Sequence, residues 1–263
     1  MRLGTAGHAA TFEPHRLVVY RAGTFVDKKG KTREHGDRKD GEAWEQFKDA
    51  QAPDAVICNE REYAIALAIA AALRRADAER VDPTTGEPLP LLFGPGVIHE
   101  QRILWERRGR ACSSTPDARN PGQWIADLKC LRSAEPGRFE RAANSSGYRS
   151  QLTFYAEADA WELGLEAPQA DLYSVVVEPF EPYVVTTFRL DAMAIDTGRR
   201  QIDQWWSVLE NCEATDHWPG YAQSVATLTA DDPDGTFGIF GGLVDDDPNE
   251  PAATATADEW STP

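Results

Sequence analysis

The chain of 263 residues has few cysteines and no long apolar run, and both absences exclude classes of protein. Its four cysteines are widely spaced and include no Cys-x-x-Cys pair; they are Cys58, Cys112, Cys130 and Cys212. This spacing excludes the common zinc and iron–sulfur patterns and predicts reduced thiols. The longest apolar run, residues 63–73, is too short to span a bilayer, and no secretory signal follows Met1, so a cytoplasmic protein is expected.

Basic residues are absent after Arg200, whereas 13 Asp and Glu residues follow it. Taken alone, the net charge of −16 argues against binding to nucleic acid. The charge is unevenly distributed, however, because residues 99–150 contain ten basic and six acidic residues, a local balance of +4. We therefore predict one folded domain over residues 1–225 and an acidic, disordered tail over residues 226–263.

Hydrophobic periodicity and capping residues predict alternating helices and strands, and hence an α/β fold. Helices are predicted over residues 3–13, 43–50, 60–78, 136–163 and 191–212. Strands are predicted over residues 18–26, 98–105, 171–178 and 183–190, with a hairpin within residues 109–131. The polar residues 27–41 indicate a loop, and the Pro- and Gly-rich residues 81–96 indicate a surface excursion.

The clearest chemistry lies in residues 115–129. Along a strand, side chains alternate between faces, so Asp127 and Lys129 would project from the same face. A tight reversal at residues 120–122 would bring Asp117 back beside Asp127. An isolated Asp-x-Lys is more often a solvated ion pair, but two carboxylates and an ammonium on one side of a sheet predict a divalent-metal site.

With these residues in view, the chain resembles the PD-(D/E)XK nuclease superfamily, and most closely the phage RecE-type exonucleases. The matching segments occur in the expected order over residues 3–221. They are Leu3–His8 with Glu13-Pro14 (similar to Gly-x-Ala-x-His), Pro116-Asp117, Asp127-Leu128-Lys129, Gln151-x-x-x-Tyr155, Val175–Pro179 and Trp218–Tyr221. Two features depart from the family pattern. The usual segment before the helix that carries His8 is lacking, which concerns stability and oligomerisation more than chemistry. Thr115 stands at a position that is commonly basic in relatives.

The resemblance implies a restriction-endonuclease-like core, in which helices flank a central mixed β-sheet. It also implies a site for Mg²⁺, with Mn²⁺ as a substitute. By this resemblance, Asp117 and Asp127 would bind the metal and His8 would complete the metal site. Lys129 would orient the attacking water, and Gln151 and Tyr155 would position the DNA.

Neighbouring arginines would contact phosphates without reading sequence; they are Arg119, Arg138, Arg141 and Arg149. His99 and Glu100 form an adjacent pair to which the resemblance assigns no role, and they remain secondary candidates.

The activity implied is 5′-to-3′ resection of linear double-stranded DNA in phage-type recombination, inside a bacterial host. A homo-oligomeric ring and a RecT-type single-strand annealing protein are the implied partners. The alternatives are a RecB-like nuclease of other polarity and a non-catalytic DNA-binding protein on the same fold; a Cas4-like enzyme is disfavoured by the cysteine spacing. The acidic tail would either solubilise the protein or mimic DNA in a basic channel.

Overall fold

The computed structural model describes residues 3–220, which contain six α-helices and eleven β-strands. The helices are α1 (Leu3–Phe12), α2 (Gly41–Asp49), α3 (Glu60–Ala78), α4 (Pro136–Ser145), α5 (Tyr148–Glu162) and α6 (Ala192–Thr215). The strands are β1 (Leu17–Val19), β2 (Gly23–Val26), β3 (Thr32–His35), β4 (Val56–Cys58), β5 (Ile98–His99), β6 (Ile103–Arg107), β7 (Arg110–Ser114), β8 (Ala118–Asn120), β9 (Trp124–Cys130), β10 (Asp171–Val177) and β11 (Val185–Arg189).

A five-stranded sheet forms the centre of the domain, in the order β11-β10-β9-β8-β5. Strands β9 and β10 run parallel, and the other neighbours in this sheet are antiparallel. The connection from β9 to β10 passes through α4 and α5, as a parallel pair requires a crossover. The predicted central mixed sheet flanked by helices is therefore confirmed.

The two faces of β9 are buried against different helices. On one face, Ile125 packs with Leu152 and Ala156 of α5. On the other face, Ala126 and Leu128 belong to the apolar cluster that contains Ile69 of α3. Because side chains alternate along a strand, this burial assigns Asp127 to the face covered by α5.

Several predicted helices are confirmed, with their caps. Asn59 accepts a hydrogen bond from the backbone N–H of Glu62, and the Glu62 side chain accepts one from the backbone N–H of Asn59, which gives α3 a capping box. Asp191 caps α6 by accepting from the backbone N–H of Ala194. Polar side chains at these positions satisfy the N–H groups that a helix leaves unpaired at its start.

The predicted helix over residues 136–163 is wrong in one respect, because it consists of α4 and α5 separated by a break. Gly147 has φ +69°, a left-handed conformation that ends the helical path and that glycine adopts without steric cost. The predicted strand over residues 98–105 is similarly divided into β5 and β6, with Glu100 at φ +50° between them. Both corrections concern backbone angles that periodicity does not reveal.

Three other elements also differ from expectation. The predicted strand over residues 18–26 is two strands, β1 and β2. The predicted loop over residues 27–41 contains β3, which pairs with β2 as a hairpin. The segment 81–96, predicted to lie at the surface, is partly buried, because Leu91 and Leu92 are fully buried.

Within residues 3–220, no helix is both long enough and apolar enough to cross a membrane. The predicted acidic tail, residues 226–263, lies outside the described residues.

Candidate active site

Small residues in α1 allow His8 to approach the central sheet. A Cβ atom added to Gly7 would lie 3.1 Å from the Ile69 side chain of α3, and one added to Gly4 would lie 3.4 Å from Cβ of Cys130 in β9. Ala6, which lies between them, is fully buried. Larger side chains at these positions would move α1 outward, so the Gly and Ala content of this helix determines where His8 lies.

The His8 side chain meets two carboxylates from distant parts of the chain. Its Nε2 atom lies 3.1 Å from Oδ1 of Asp117 and 3.1 Å from Oε1 of Glu100. One ligand atom from each of the three residues lies within 4.8 Å of the others, and all three side chains are partly buried. The family resemblance predicted that His8 completes a metal site with Asp117 and Asp127, and the structure brings His8 and Asp117 together.

Glu100 is the residue of this cluster that was only a secondary candidate from the sequence. Its left-handed backbone lies at the break between β5 and β6, and its N–H donates to the backbone oxygen of Asp117 at 3.3 Å. The adjacent His99 is oriented differently, with Nε2 2.5 Å from the carbonyl oxygen of Leu92 and its ring against Phe12. Glu100 is therefore part of the site, and His99 is a packing residue.

The β8–β9 hairpin brings Asp117 and Asp127 together, as predicted. The turn is closed by the N–H of Gln123 donating to the oxygen of Asn120 at 2.9 Å, and Gly122 has φ +73°. Asp117 Oδ2 accepts a hydrogen bond from the backbone N–H of Leu128 at 2.6 Å. This bond fixes the Asp117 carboxylate beside the middle of β9.

Asp127 and Lys129 form an ion pair on the face of β9 that α5 covers. Lys129 Nζ lies 2.6 Å from Oδ2 of Asp127, whose side chain is only 2% exposed. Asp127 was predicted as a metal ligand together with His8 and Asp117, but it is not a member of the 4.8 Å cluster. Its role as a ligand stays a prediction.

A chain of hydrogen bonds links Lys129 to two residues of α5. Lys129 Nζ donates to Oε1 of Gln151 at 2.8 Å, and Nε2 of Gln151 donates to the Tyr155 hydroxyl at 2.9 Å. Residues four apart lie on the same face of a helix, so the predicted Gln151–Tyr155 pairing is confirmed as geometry. Since the Tyr155 oxygen accepts from Gln151, its own proton is available to a further acceptor.

The electrostatics of the cluster favour a protonated His8. Burial lowers the pKa of His8, but hydrogen bonds and charges from Asp117 and Glu100 outweigh this effect and raise the pKa to about 10. Burial raises the pKa of Asp127 despite the nearby Lys129 ammonium. Burial, together with the charge of Asp127, also raises the pKa of Tyr155 to about 12, which keeps its hydroxyl protonated.

The carboxylates of the site fit a divalent cation. Oε1 of Glu100 and Oδ2 of Asp127 are buried, and their charged neighbours are the His8 imidazole at 3.1 Å and the Lys129 ammonium at 2.6 Å. If His8 loses its proton, the charges of Glu100 and Asp117 are left for another cation. Carboxylate oxygens are hard ligands that suit Mg²⁺ and Mn²⁺, and a neutral imidazole adds a further ligand.

The predicted phosphate-binding arginines do not all lie at the surface. Arg119 is 1% exposed and donates to Asp159 at 2.8 Å and to Gln101 at 2.7 Å, so it is a structural residue and the prediction that it contacts DNA is wrong. Arg149 of α5 is partly buried and donates a hydrogen bond to Oδ1 of Asn144 in α4. Arg138 and Arg141 are exposed on α4 and remain available to a phosphate.

Comparison with known proteins gives a matching family and similar solved structures. The sequence model of a family described as a PDDEXK-like domain of unknown function (DUF3799) matches residues 1–230. Among solved structures, a chain from Eubacterium rectale with a provisional exonuclease assignment has 14% identity and a TM-score of 0.47, over 67% of this chain and 64% of that chain. At these values the structural likeness carries no argument. No curated protein matches the chain.

Proposed function

Because this chain belongs to the PDDEXK-like domain family, we propose that it is a divalent-metal-dependent deoxyribonuclease that hydrolyses phosphodiester bonds. The strongest support is the convergence of His8, Glu100 and Asp117, with ligand atoms within 4.8 Å, beside the buried Asp127–Lys129 pair. Unlike an ordinary surface cluster of acids, this site includes two buried carboxylate oxygens, Oε1 of Glu100 and Oδ2 of Asp127.

We propose Mg²⁺ as the cofactor, with Mn²⁺ as a substitute. Asp117, Glu100 and Asp127 would hold it through carboxylate oxygens and His8 through Nε2, and the protonated His8 must lose its proton to do so. A divalent cation in such a site supplies an activated water and neutralises charge on the scissile phosphate.

The remaining residues have roles that follow from their own hydrogen-bonding capacity. Lys129 carries an ammonium beside the carboxylates, where it can stabilise negative charge that develops on the phosphate and orient the attacking water. The hydroxyl of Tyr155 keeps its proton because its pKa is raised, so it can donate to a phosphate oxygen. Gln151 connects these two donors and fixes their separation.

We further propose that the substrate is linear double-stranded DNA, resected from 5′ to 3′ in phage-type recombination in a bacterial cytoplasm. The support is the resemblance of the ordered motifs to RecE-type exonucleases. A ring-shaped homo-oligomer and a RecT-type annealing protein are the partners that this proposal implies. Arg138 and Arg141 would contact the phosphate backbone.

The test is digestion of linear and covalently closed circular duplex DNA, with Mg²⁺, Mn²⁺ or a chelator, using substrates labelled at either end. The proposal expects loss of linear DNA alone, dependence on the metal, and release of the 5′ label first.

Two matched variants test the site. Asp127→Asn should remove activity, whereas Asp196→Asn, at an exposed carboxylate of α6, should not. DNA binding without cleavage under both metals would instead support a non-catalytic binding protein, and equal cleavage of circles would support an endonuclease.

A further inference from the structure

Lys129 has the longest flexible side chain among the residues of the candidate site. A lysine side chain is a four-carbon stem that ends in a compact charge, so several contacts are needed to hold its ammonium in one place. Gln151 and Asp127 provide two such contacts, at 2.8 Å and 2.6 Å from Nζ. A third comes from Tyr148, because Nζ lies 4.6 Å from the centroid of the Tyr148 ring.

The fold fixes the plane of the Tyr148 ring. Gly147, with its left-handed backbone, separates α4 from α5 and leaves Tyr148 in the first turn of α5. The ring stacks on Phe139 of α4, with centroids 6.2 Å apart and planes at 20°. Phe139 in turn stacks on Phe188 of β11 at 4.3 Å and 25°. The Tyr148 ring thus lies at one end of a stack of three aromatic side chains that come from three elements.

We propose that Tyr148 is a positioning residue that holds the Lys129 ammonium against the face of its ring. The face of an aromatic ring carries partial negative charge and attracts a cation within about 6 Å of its centroid. Asp127 is also a predicted metal ligand, so its charge would be shared between two cations. The Tyr148 ring does not compete for the metal and supports Lys129 alone. This inference rests on the proposed function, since it explains how the catalytic lysine is kept in place.

A series of ring-fluorinated phenylalanines at position 148 tests the electrostatic part of the proposal. Fluorine is close to hydrogen in size, but each one withdraws electrons from the ring face and weakens its attraction for a cation. The proposal expects the maximal rate of DNA digestion to fall stepwise from Tyr148→Phe to the trifluorinated variant, by on the order of tenfold in total. The KM for DNA should stay within about twofold. A flat series would overturn the proposal, because a purely packing ring would tolerate the fluorines.

Two further variants separate positioning from folding. Tyr148→Leu should lower the maximal rate on the order of tenfold, and Tyr148→Trp should recover most of it, since indole also offers a ring face. In a Lys129→Met background, Tyr148→Leu should cause no further loss of the residual rate. An equal loss in both backgrounds would show that Tyr148 acts independently of Lys129 and would overturn the proposal.

The contact also has a readout that does not need activity. In the metal-free protein, the NMR signal of the Lys129 ε-methylene group, assigned by its absence in Lys129→Met, should lie upfield because it sits over a ring. Tyr148→Leu should return the signal to the position of an ordinary lysine. An unshifted signal overturns the proposal. A shifted signal in a protein that does not cleave DNA supports the contact and overturns the proposed nuclease function, so the two failures are distinguishable.

Discussion

Two buried carboxylates of this protein have the same low exposure, but they differ in the groups that hold them. Asp77 and Asp127 are each 2% exposed. Asp77 accepts hydrogen bonds from the backbone N–H groups of Leu91, Leu92 and Phe93 and pairs with Arg80. The Asp127 carboxylate accepts no hydrogen bond from a backbone N–H of residues 3–220, and its Oδ2 lies 2.6 Å from the Lys129 ammonium.

The same contrast holds for Asp159 and Glu100. Asp159 is paired with the buried Arg119 at 2.8 Å and accepts from the backbone N–H of Gly122 at 2.9 Å, which secures the β8–β9 turn. Glu100 has a buried oxygen 3.1 Å from Nε2 of His8 and accepts no hydrogen bond from a backbone N–H of residues 3–220. Burial alone therefore does not identify the site. At least one backbone N–H group and an arginine hold each structural carboxylate, whereas Glu100 and Asp127 face side-chain cations and keep capacity for a metal.

The largest expected effect on stability comes from replacing the structural carboxylate Asp77. Asp77→Asn puts an amide NH₂ where backbone N–H groups now donate, so donors face donors in a buried site. We expect a loss of about 3 kcal/mol in the free energy of unfolding, seen as a melting temperature lower by about 6–12 °C. Asp82→Asn is the matched control, because Asp82 accepts from the backbone N–H groups of Thr84 and Thr85 at an exposed turn. A loss at Asp82 as large as that at Asp77 would contradict the role given to burial.

On the functional side, Glu100→Gln should leave the fold intact and weaken the metal site. The substitution removes a charge without changing shape, and His8 keeps its partner Asp117. We expect the dissociation constant for Mg²⁺ or Mn²⁺, measured by calorimetry, to rise about 10- to 100-fold. The melting temperature of the metal-free protein should fall much less than in Asp77→Asn. A large destabilisation with unchanged metal affinity would show that Glu100 belongs with the structural carboxylates.

The raised pKa of His8 predicts a pH dependence of metal binding. In the unfolded chain His8 titrates near 6.5, and in the folded protein its pKa is about 10. The His8–carboxylate contacts therefore stabilise the metal-free protein fully below pH 6.5, and this contribution is lost as the pH rises toward 10. Because metal binding needs the neutral imidazole, the affinity for Mg²⁺ should increase about tenfold for each pH unit between roughly 7 and 10.

Calorimetry in buffers of different ionisation enthalpy counts the protons released in this process. We expect about one proton for each Mg²⁺ bound at pH 8, and a smaller number in His8→Gln. Metal binding that releases no proton and does not change with pH would remove His8 from the ligand set and leave the carboxylates as the site.

The parts of the site that lie close together in the sequence were predictable. Asp127 and Lys129 share a face because side chains alternate along a strand, and Asn120 to Gly122 carries the turn residues that return the chain beside Asp117. His8 was predicted through the resemblance of its segment to a known family, since no local rule connects α1 to β9. The Gln151–Tyr155 pair follows from helical spacing.

Glu100 and Arg119 show where sequence reasoning stops. Glu100 reaches the site because its backbone takes a left-handed conformation between β5 and β6, which an acidic residue adopts only where the surrounding fold stabilises it. Arg119 lies beside turn residues that normally occur at the surface, but Asp159, forty residues later, holds it inside. Each outcome depends on a partner that is distant in the chain, so periodicity and local composition cannot predict it.

The smallest expected effects concern the two exposed arginines of α4, and they extend the same contrast to positive charge. Arg138 and Arg141 are exposed, whereas Arg119 is buried in an ion pair. If Arg138 and Arg141 contact phosphates, Arg138→Ala and Arg141→Ala should each reduce the slope of log affinity against log salt by about 0.9, because each contact releases one counterion. Binding of a duplex in Ca²⁺ over a range of salt concentrations measures this slope.

The buried Arg119 is the control. Arg119→Ala should lower the melting temperature, because it leaves the buried Asp159 without its partner. The slope of log affinity against log salt in the fraction that remains folded should not change. A change of slope in Arg119→Ala together with an unchanged slope in both α4 variants would reverse the assignment and place the DNA on the β8–β9 side of the domain.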